Sequence, residues 1–388
     1  MEKRAMILGA GATGRGHIGE LAFEAGWELV FVDKDPQLIR CLREAGRYTV
    51  KLCRADGHRT VIVDRFVAYR ADDIPAIIRE ALTTPLILTA LFSQNLPQIA
   101  HLIARIITAR CAAGVETPLN VICCENMQSS STMLRSLVVP LLGGAEAAHL
   151  KAHVGFPDCM VSRVVPLPEN DPLQLVAEDY NEWTVDAAGF LGSPVDLPAM
   201  ELVADQETRL ARKFFMHNGA HAVCGYWGFH RGHKYIHEAV ADPFVLERVV
   251  GAIGELAGVV SKRYGLDLNA VREYGLELGA RGAVAEIKDL ILRVIRDPLR
   301  KLSRPERFTA PAEMALKYGL PCEEIVVAMA AVLHYCHPDD PQAVTMRTKL
   351  RSLGPEKAIP EILGLPANRP LAARVVRAYQ DWSPVARA

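Results

Sequence analysis

The sequence has no C-x-x-C pair, no H-E-x-x-H and no apolar run of the ~18 residues needed to span a bilayer. The first two absences leave zinc without its usual ligand spacing. Without the third, no membrane-spanning helix is expected. Charge of one sign is also missing. The formal net charge is −1, so no global field draws nucleic acid or an anionic membrane. The nine cysteines are odd in number and fall in no paired motif, which points to a reduced, cytoplasmic setting. The N-terminus is basic and then apolar, as in a signal peptide. Its glycines, Arg15 and His17 interrupt the apolar stretch too early for that reading. No internal repeat or low-complexity tract occurs.

What is present reads as two halves. In the first, "RAMILG", "WELVFVD", "TPLILTAL" and "LNVICCEN" are short apolar runs of the kind that form buried strands. Helical spacing in "HIGELAFEAG" and "QIAHLIARIITARCAAG" alternates with them. That alternation predicts a parallel sheet covered on both faces. "RYTVKLC" and "TVIVDRFVAYR", joined around Asp56-Gly57, read as a hairpin. The stretch "HVGFPDC" to "NEWTVD" is strand-like, and "LGSPVDLPAMEL" reads as a linker. From Val203 onward the pattern is helical, with breaks at Asp297-Pro298, Arg304-Pro305 and Ala310-Pro311. The expected fold is therefore α/β, with a doubly wound domain over 1–195 and a mainly α-helical domain over 196–388.

Between the first strand and the first helix stands "ILGAGATGRGHIGE". In that context Gly9-x-Gly11-x-x-Gly14 matches a dinucleotide cradle. The first glycine permits a tight turn, the second lets a pyrophosphate approach the backbone, and the third lets helix and strand pack closely. N–H groups at the helix start hold the anion. Gly9, Gly11, Gly14 and Gly16 are thus candidate cofactor contacts. Asp33 ends the next strand, where an acid binds a ribose 2′-hydroxyl and repels a 2′-phosphate. NAD is favoured over NADP, although the neighbouring Lys34 blunts the preference. The plain alternative is a glycine-rich turn with Asp33 capping the next helix.

Two further places carry chemistry. "NVICCENM" ends a strand with Glu125 and Asn126, on the side where doubly wound sheets bind ligands. Asn126 there either bonds a reacting oxygen or makes a turn. "RKFFMHNGAHAVCGY" holds Lys213, Asn218 and His221. At about 100° per residue, Lys213 and His221 lie about 80° apart on a helix, with Asn218 about 60° beyond. A lysine among Phe214, Phe215 and Met216 is disfavoured in its charged form and can take an alcohol proton as hydride leaves. Asn218 and Asn126 would polarise the developing oxyanion. The alternative is a snorkelling lysine on an ordinary amphipathic helix. His217 and His221, like His233 and His237, stand four apart, but Asn218 occupies the glutamate position of a zinc motif. No metal is expected.

With "GAGATGRGHIG", "CENM", "HVGFPDCMVSRVVP", the Lys213-x4-Asn218-x2-His221 spacing, "RGHKYIHEAVADP" and "RDPLRKLS" in view, the chain resembles the polyol-specific long-chain dehydrogenases, or mannitol dehydrogenase family. It is most similar to the mannitol-1-phosphate 5-dehydrogenase branch. The resemblance implies a Rossmann-type N-terminal domain, a helical C-terminal domain, a site in the cleft between them, and metal-independent hydride transfer. It implies Lys213 as general acid/base, Asn126 and Asn218 as oxyanion partners, His221 as a substrate-binding histidine and Arg281 as a substrate contact. Two departures bear on substrate. Val161-Ser162-Arg163 stands where the family has V-D-R, and Arg281-Gly282-Ala283-Val284-Ala285 replaces R-F-x-N-P.

Arg296, Arg300, Lys301, Arg304 and Arg307 form a basic cluster that suits a sugar phosphate, or is a solvated loop. Arg300 and Lys301 sit inside "RDPLRKLS" and are taken as substrate-binding. The expected activity is NAD-dependent interconversion of a polyol phosphate and a ketose phosphate, mannitol 1-phosphate and fructose 6-phosphate foremost. An unphosphorylated polyol or a uronate is the alternative substrate. A dinucleotide-sensing protein without turnover is the alternative class.

Overall fold

The apolar runs of the first half form one six-stranded sheet in a computed structural model, which describes residues 3–91, 93–125, 127 and 129–383, with Ser93 and Leu278 described by backbone alone. The strands of the first half are β1 (Arg4–Leu8), β2 (Glu28–Asp33), β3 (Tyr48–Arg54), β4 (Gly57–Val63), β5 (Phe66–Arg70), β6 (Leu86–Thr89) and β7 (Leu119–Cys123). Beyond them lie β8 (Val154–Gly155), β9 (Cys159–Ser162), β10 (Gln174–Glu178), β11 (Glu182–Asp186) and β12 (Glu201–Val203). The main sheet runs β5-β2-β1-β6-β7-β8, all parallel.

Alternate residues of its central strands point to opposite faces and feed two separate cores. Ala5, Ile7, Leu29 and Phe31 belong to one, and Met6, Leu8, Val30 and Val32 to the other. Helices Leu96–Ala112 and Ser130–Val138 pack into the second core. Burial on both sides is why these strands read as unbroken apolar runs rather than alternating ones. The chain builds outward from β1 through β2 to β5, then returns to β6 on the other side. The order therefore reverses between β1 and β6, and such a switch point leaves a crevice at the carboxyl ends of the strands.

The expected hairpin forms as β3–β4, with Arg54 opposite Gly57 across the turn. Its second arm ends sooner than the alternation suggested. "FVAYR" leaves the hairpin after Val63 and becomes β5, paired parallel to β2 at the edge of the main sheet. The hairpin itself joins β10 in a separate three-stranded sheet, and β12-β11-β9 forms another.

Two compact units divide the chain, Met1–Leu210 and Ala211–Ala388. The boundary read near 195 falls inside the first unit, because β12 pairs with β11 and keeps the linker-like stretch with the sheet. The second unit is helical. Its core gathers around helices Asn218–Arg231, Pro243–Tyr264 and Glu323–His334. Pro298 opens a short helix at its first position, and Pro311 sits in the first turn of Thr309–Tyr318, both places where a missing N–H is tolerated. No helix of the described residues is long and apolar enough to cross a membrane.

Candidate functional site

In the first unit the glycine turn lies at the switch point. Gly9 has φ +102°, a left-handed conformation, and a Cβ there would lie 2.5 Å from the Ala90 carbonyl oxygen just beyond β6. A Cβ on Gly14 would lie 1.9 Å from the carbonyl oxygen of Gly9. These two glycines are explained by the chain's own backbone. Gly11 is not: its φ is outside the left-handed region, and a Cβ would meet no atom of the chain within 4 Å. The open space lies at a helix start, where the first N–H groups lack intrahelical partners. That arrangement fits an anionic group such as a pyrophosphate.

Asp33 ends β2 and is tied to the same turn. Its carboxylate accepts the Ala10 N–H at 2.7 Å and the Asp35 N–H at 2.9 Å. The helix that follows is capped by Asp35, which accepts from Gln37 and Leu38. Capping is therefore not the task of Asp33. Gly16 stands in a wide π-type turn, Gly14–Gly19, at the opening of the first helix.

Two residues that sequence reasoning assigned no structural role brace this end of the sheet. Arg15 is buried and donates to the carbonyls of Ala10 and Pro172, both at 2.6 Å. Glu125, buried beyond β7, accepts from the Thr89 hydroxyl at 2.7 Å and from the Leu91 N–H at 3.0 Å. It thereby ties the ends of β6 and β7 together on either side of Ala90, and burial raises its carboxyl above the ordinary range. No local spacing announces the contacts to Pro172, Thr89 and Leu91, which lie elsewhere in the chain. Asn126, the adjacent candidate, lies outside the described residues. Ser162, where the resemblance expects a carboxylate, is buried at the end of β9 with its hydroxyl unbonded among the described residues.

In the second unit Lys213 opens another π-type turn, Lys213–His217, which runs directly into helix Asn218–Arg231. Lys213, His217 and Asn218 are all buried. The His217 and His221 rings meet edge to face at 5.6 Å. Burial pushes the His217 imidazole well below its ordinary range, and the charges of Arg281, His221, Lys213 and Arg293 push the same way. Lys213, His221 and Arg281 thus lie within electrostatic reach of the buried His217 imidazole, and Asn218 follows it in the chain. His221 Nε2 lies 3.1 Å from Asp289 Oδ2.

Arg300 and Lys301 engage other partners. Arg300 is bonded to Glu306 at 3.0 Å and lies 3.8 Å from Asp297. Lys301 is buried, and its Nζ donates to the Arg296 carbonyl. Burial pushes the Lys301 amine down to about 6, with Arg307 and Arg300 pushing the same way. Arg304 pairs with Glu313 at 2.9 Å. Among the described residues, no group of three His, Cys, Asp or Glu side chains is arranged to hold a metal ion.

Comparison with known proteins agrees with the division into a Rossmann-type and a helical part. Residues 3–198 match the family model of the mannitol dehydrogenase Rossmann domain, and residues 207–381 match that of the mannitol dehydrogenase C-terminal domain. Pseudomonas fluorescens mannitol 2-dehydrogenase, solved as a ternary complex with NAD and D-mannitol, is similar at a TM-score of 0.79 and 19% identity, covering 98% of this chain and 92% of that one. Substrate-free D-sorbitol dehydrogenase is similar at 0.80 and 16% identity, covering 98% and 93%. A D-mandelate dehydrogenase complex with NADH and anilino(oxo)acetate is more distant, at 0.52 and 11% identity over 89% and 99%. The structural likenesses show the shared fold, and the two family models together account for nearly the whole sequence: the chain belongs to the mannitol dehydrogenase family.

Proposed function

We propose that the chain is an NAD-dependent oxidoreductase that interconverts a polyol phosphate and a ketose phosphate without a metal. The observation that carries the reading is the burial of Lys213 and Asn218 at the entry to the helix that carries His221. A buried lysine is disfavoured as ammonium, which is what a general base working near neutral pH requires. Lys213 takes the proton of the reacting hydroxyl, Asn218 and Asn126 donate to the oxygen as charge develops, and His221 and Arg281 hold the substrate. NAD, when bound, accepts the hydride. Gly9, Gly11, Gly14 and Gly16 form the turn for its pyrophosphate, and Asp33 serves the ribose.

The phosphorylated substrate rests on the resemblance and on exposed Arg300, whose surface pairs can be exchanged for a phosphate. Lys301, bonded to the Arg296 carbonyl, braces the helix that carries it. The pairing of Arg300 with Glu306 and of Arg304 with Glu313 favours a second reading, an unphosphorylated polyol or a uronate.

Lys213→Ala tests the mechanism. We expect kcat to fall by about 10²–10⁴ while NADH binding is retained. Activity near wild type at every pH removes Lys213 from the reaction. A panel of ketoses, ketose phosphates and uronates with NADH tests the substrate. Fructose 6-phosphate turned over no better than fructose would sink the phosphate reading. NADH binding with an inactive panel would instead point to a dinucleotide sensor.

A further inference from the structure

Asp289 has no role in the reaction as drawn above, yet the fold goes to some length to place it. The residue is buried. One carboxylate oxygen, Oδ2, lies 3.1 Å from His221 Nε2. The other, Oδ1, accepts from Arg293 Nε at 2.7 Å. Held at both oxygens, the carboxylate has no free rotation.

Its backbone is equally fixed. The Asp289 carbonyl accepts the Ile236 N–H at 2.9 Å, Leu290 bridges Tyr235, and the Ile291 N–H donates to Lys234 at 3.0 Å. Gly228 on the helix of His221 admits this segment, since a Cβ there would lie 2.8 Å from Ile291 Cδ1. Lys288, the residue before Asp289, has φ +47°, a conformation that disfavours a long side chain. Local strain of this kind persists where the surroundings over-determine a geometry.

A neutral imidazole has one donor and one acceptor nitrogen, and the partner of one nitrogen decides the role of the other. A carboxylate on Nε2 keeps the proton there and leaves Nδ1 as the acceptor. We infer that Asp289 is a positioning residue that fixes the tautomer and ring plane of His221, so that Nδ1 accepts a hydrogen bond from a hydroxyl of the polyol. The inference rests on the reading of His221 as a substrate contact. Burial alone would raise the Asp289 carboxyl, but the hydrogen bond from His221 and the Arg293 guanidinium outweigh it and hold the group below its usual range. It is therefore ionised at neutral pH, as the role requires.

The test has two parts. In wild-type protein labelled at histidine, with His221→Gln used to assign the signal, the ring-nitrogen spectrum should show neutral His221 protonated at Nε2. A proton on Nδ1 overturns the inference. In Asp289→Asn the tautomer should mix or invert, and KM for the polyol should rise on the order of 10-fold or more, as when an orienting partner of a functional histidine is lost. NADH affinity should stay within about twofold of wild type, marking the loss as substrate positioning. An unchanged KM with an unchanged spectrum refutes the role. The spectrum is read without substrate, so it judges Asp289 even where Lys213→Ala leaves turnover intact and the proposed reaction falls.

Discussion

Replacing Gly11 and Gly14 by alanine, one at a time, separates a glycine kept for a ligand from a glycine kept for the fold. At Gly14 the new Cβ would sit 1.9 Å from the Gly9 carbonyl oxygen, a backbone atom that cannot swing aside. The turn must open by roughly 1 Å, an overpacking that costs about 1–3 kcal/mol. For a unit of this size each kcal/mol lowers Tm by about 2–4 °C, so the first unit should melt about 2–12 °C earlier. At Gly11 the Cβ meets nothing within 4 Å, so Gly11→Ala should keep or slightly raise Tm, by up to about 1 kcal/mol of stability. Its methyl group would nevertheless stand where the pyrophosphate is proposed to lie. Losing one charge-assisted N–H bond costs about 1.5–3 kcal/mol, or about 10- to 150-fold in Kd. Scanning calorimetry and NADH titration read the two effects. A Gly11→Ala protein that binds NADH within about twofold of wild type would refute the cradle.

Two further outcomes follow from the second unit. Lys301 binds its proton less tightly folded, near 6, than unfolded, near 10.5, so between those values the unfolded state carries the extra proton. Stability should rise with pH across that window by up to about 1.4 kcal/mol per unit. Lys301→Met should flatten the rise in urea titrations at several pH values, and an unchanged slope would contradict the burial argument. Arg300→Ala should raise KM for fructose 6-phosphate about 10-fold and leave a free ketose unchanged. The stability change should stay under about 1 kcal/mol, since its side chain is 46% exposed in surface pairs. Equal effects on both substrates would remove Arg300 as a phosphate contact.

Much of the fold was legible because its signals are local. Apolar runs such as "AMIL" and "LNVIC" announced strands buried on both faces, and Asp56-Gly57 announced a hairpin. The fate of "FVAYR" was not legible. Alternation is the same whether a strand pairs with its predecessor or with β2 across the unit. In the candidate site, residue types and spacing drew out Lys213, Asn218 and His221. The angles expected on an ideal helix did not anticipate the wide turn at Lys213–His217. Asp289 went unnamed, and Glu125 and Arg15 were given no structural role, because a lone acid or arginine becomes informative once its partner is known. The basic run around Arg300 read as open positive charge because Glu306 and Glu313 were not recognised as its partners.

The winding of the chain between Lys213 and His217 bears on how this segment tolerates a change in length. A π-type turn holds one residue more than the regular pitch needs. Removing a residue between Phe214 and Met216 would let the backbone rewind as an ordinary helix with its bonding largely kept. Because the wide turn absorbs the extra residue rather than adding rotation, Asn218 and the helix beyond it would keep nearly their present angle to Lys213. Such a deletion would spare the helix and leave the amine, the amide and the imidazole on one side of it, whereas the same deletion from the regular stretch between Asn218 and His221 would turn the imidazole away by about 100°.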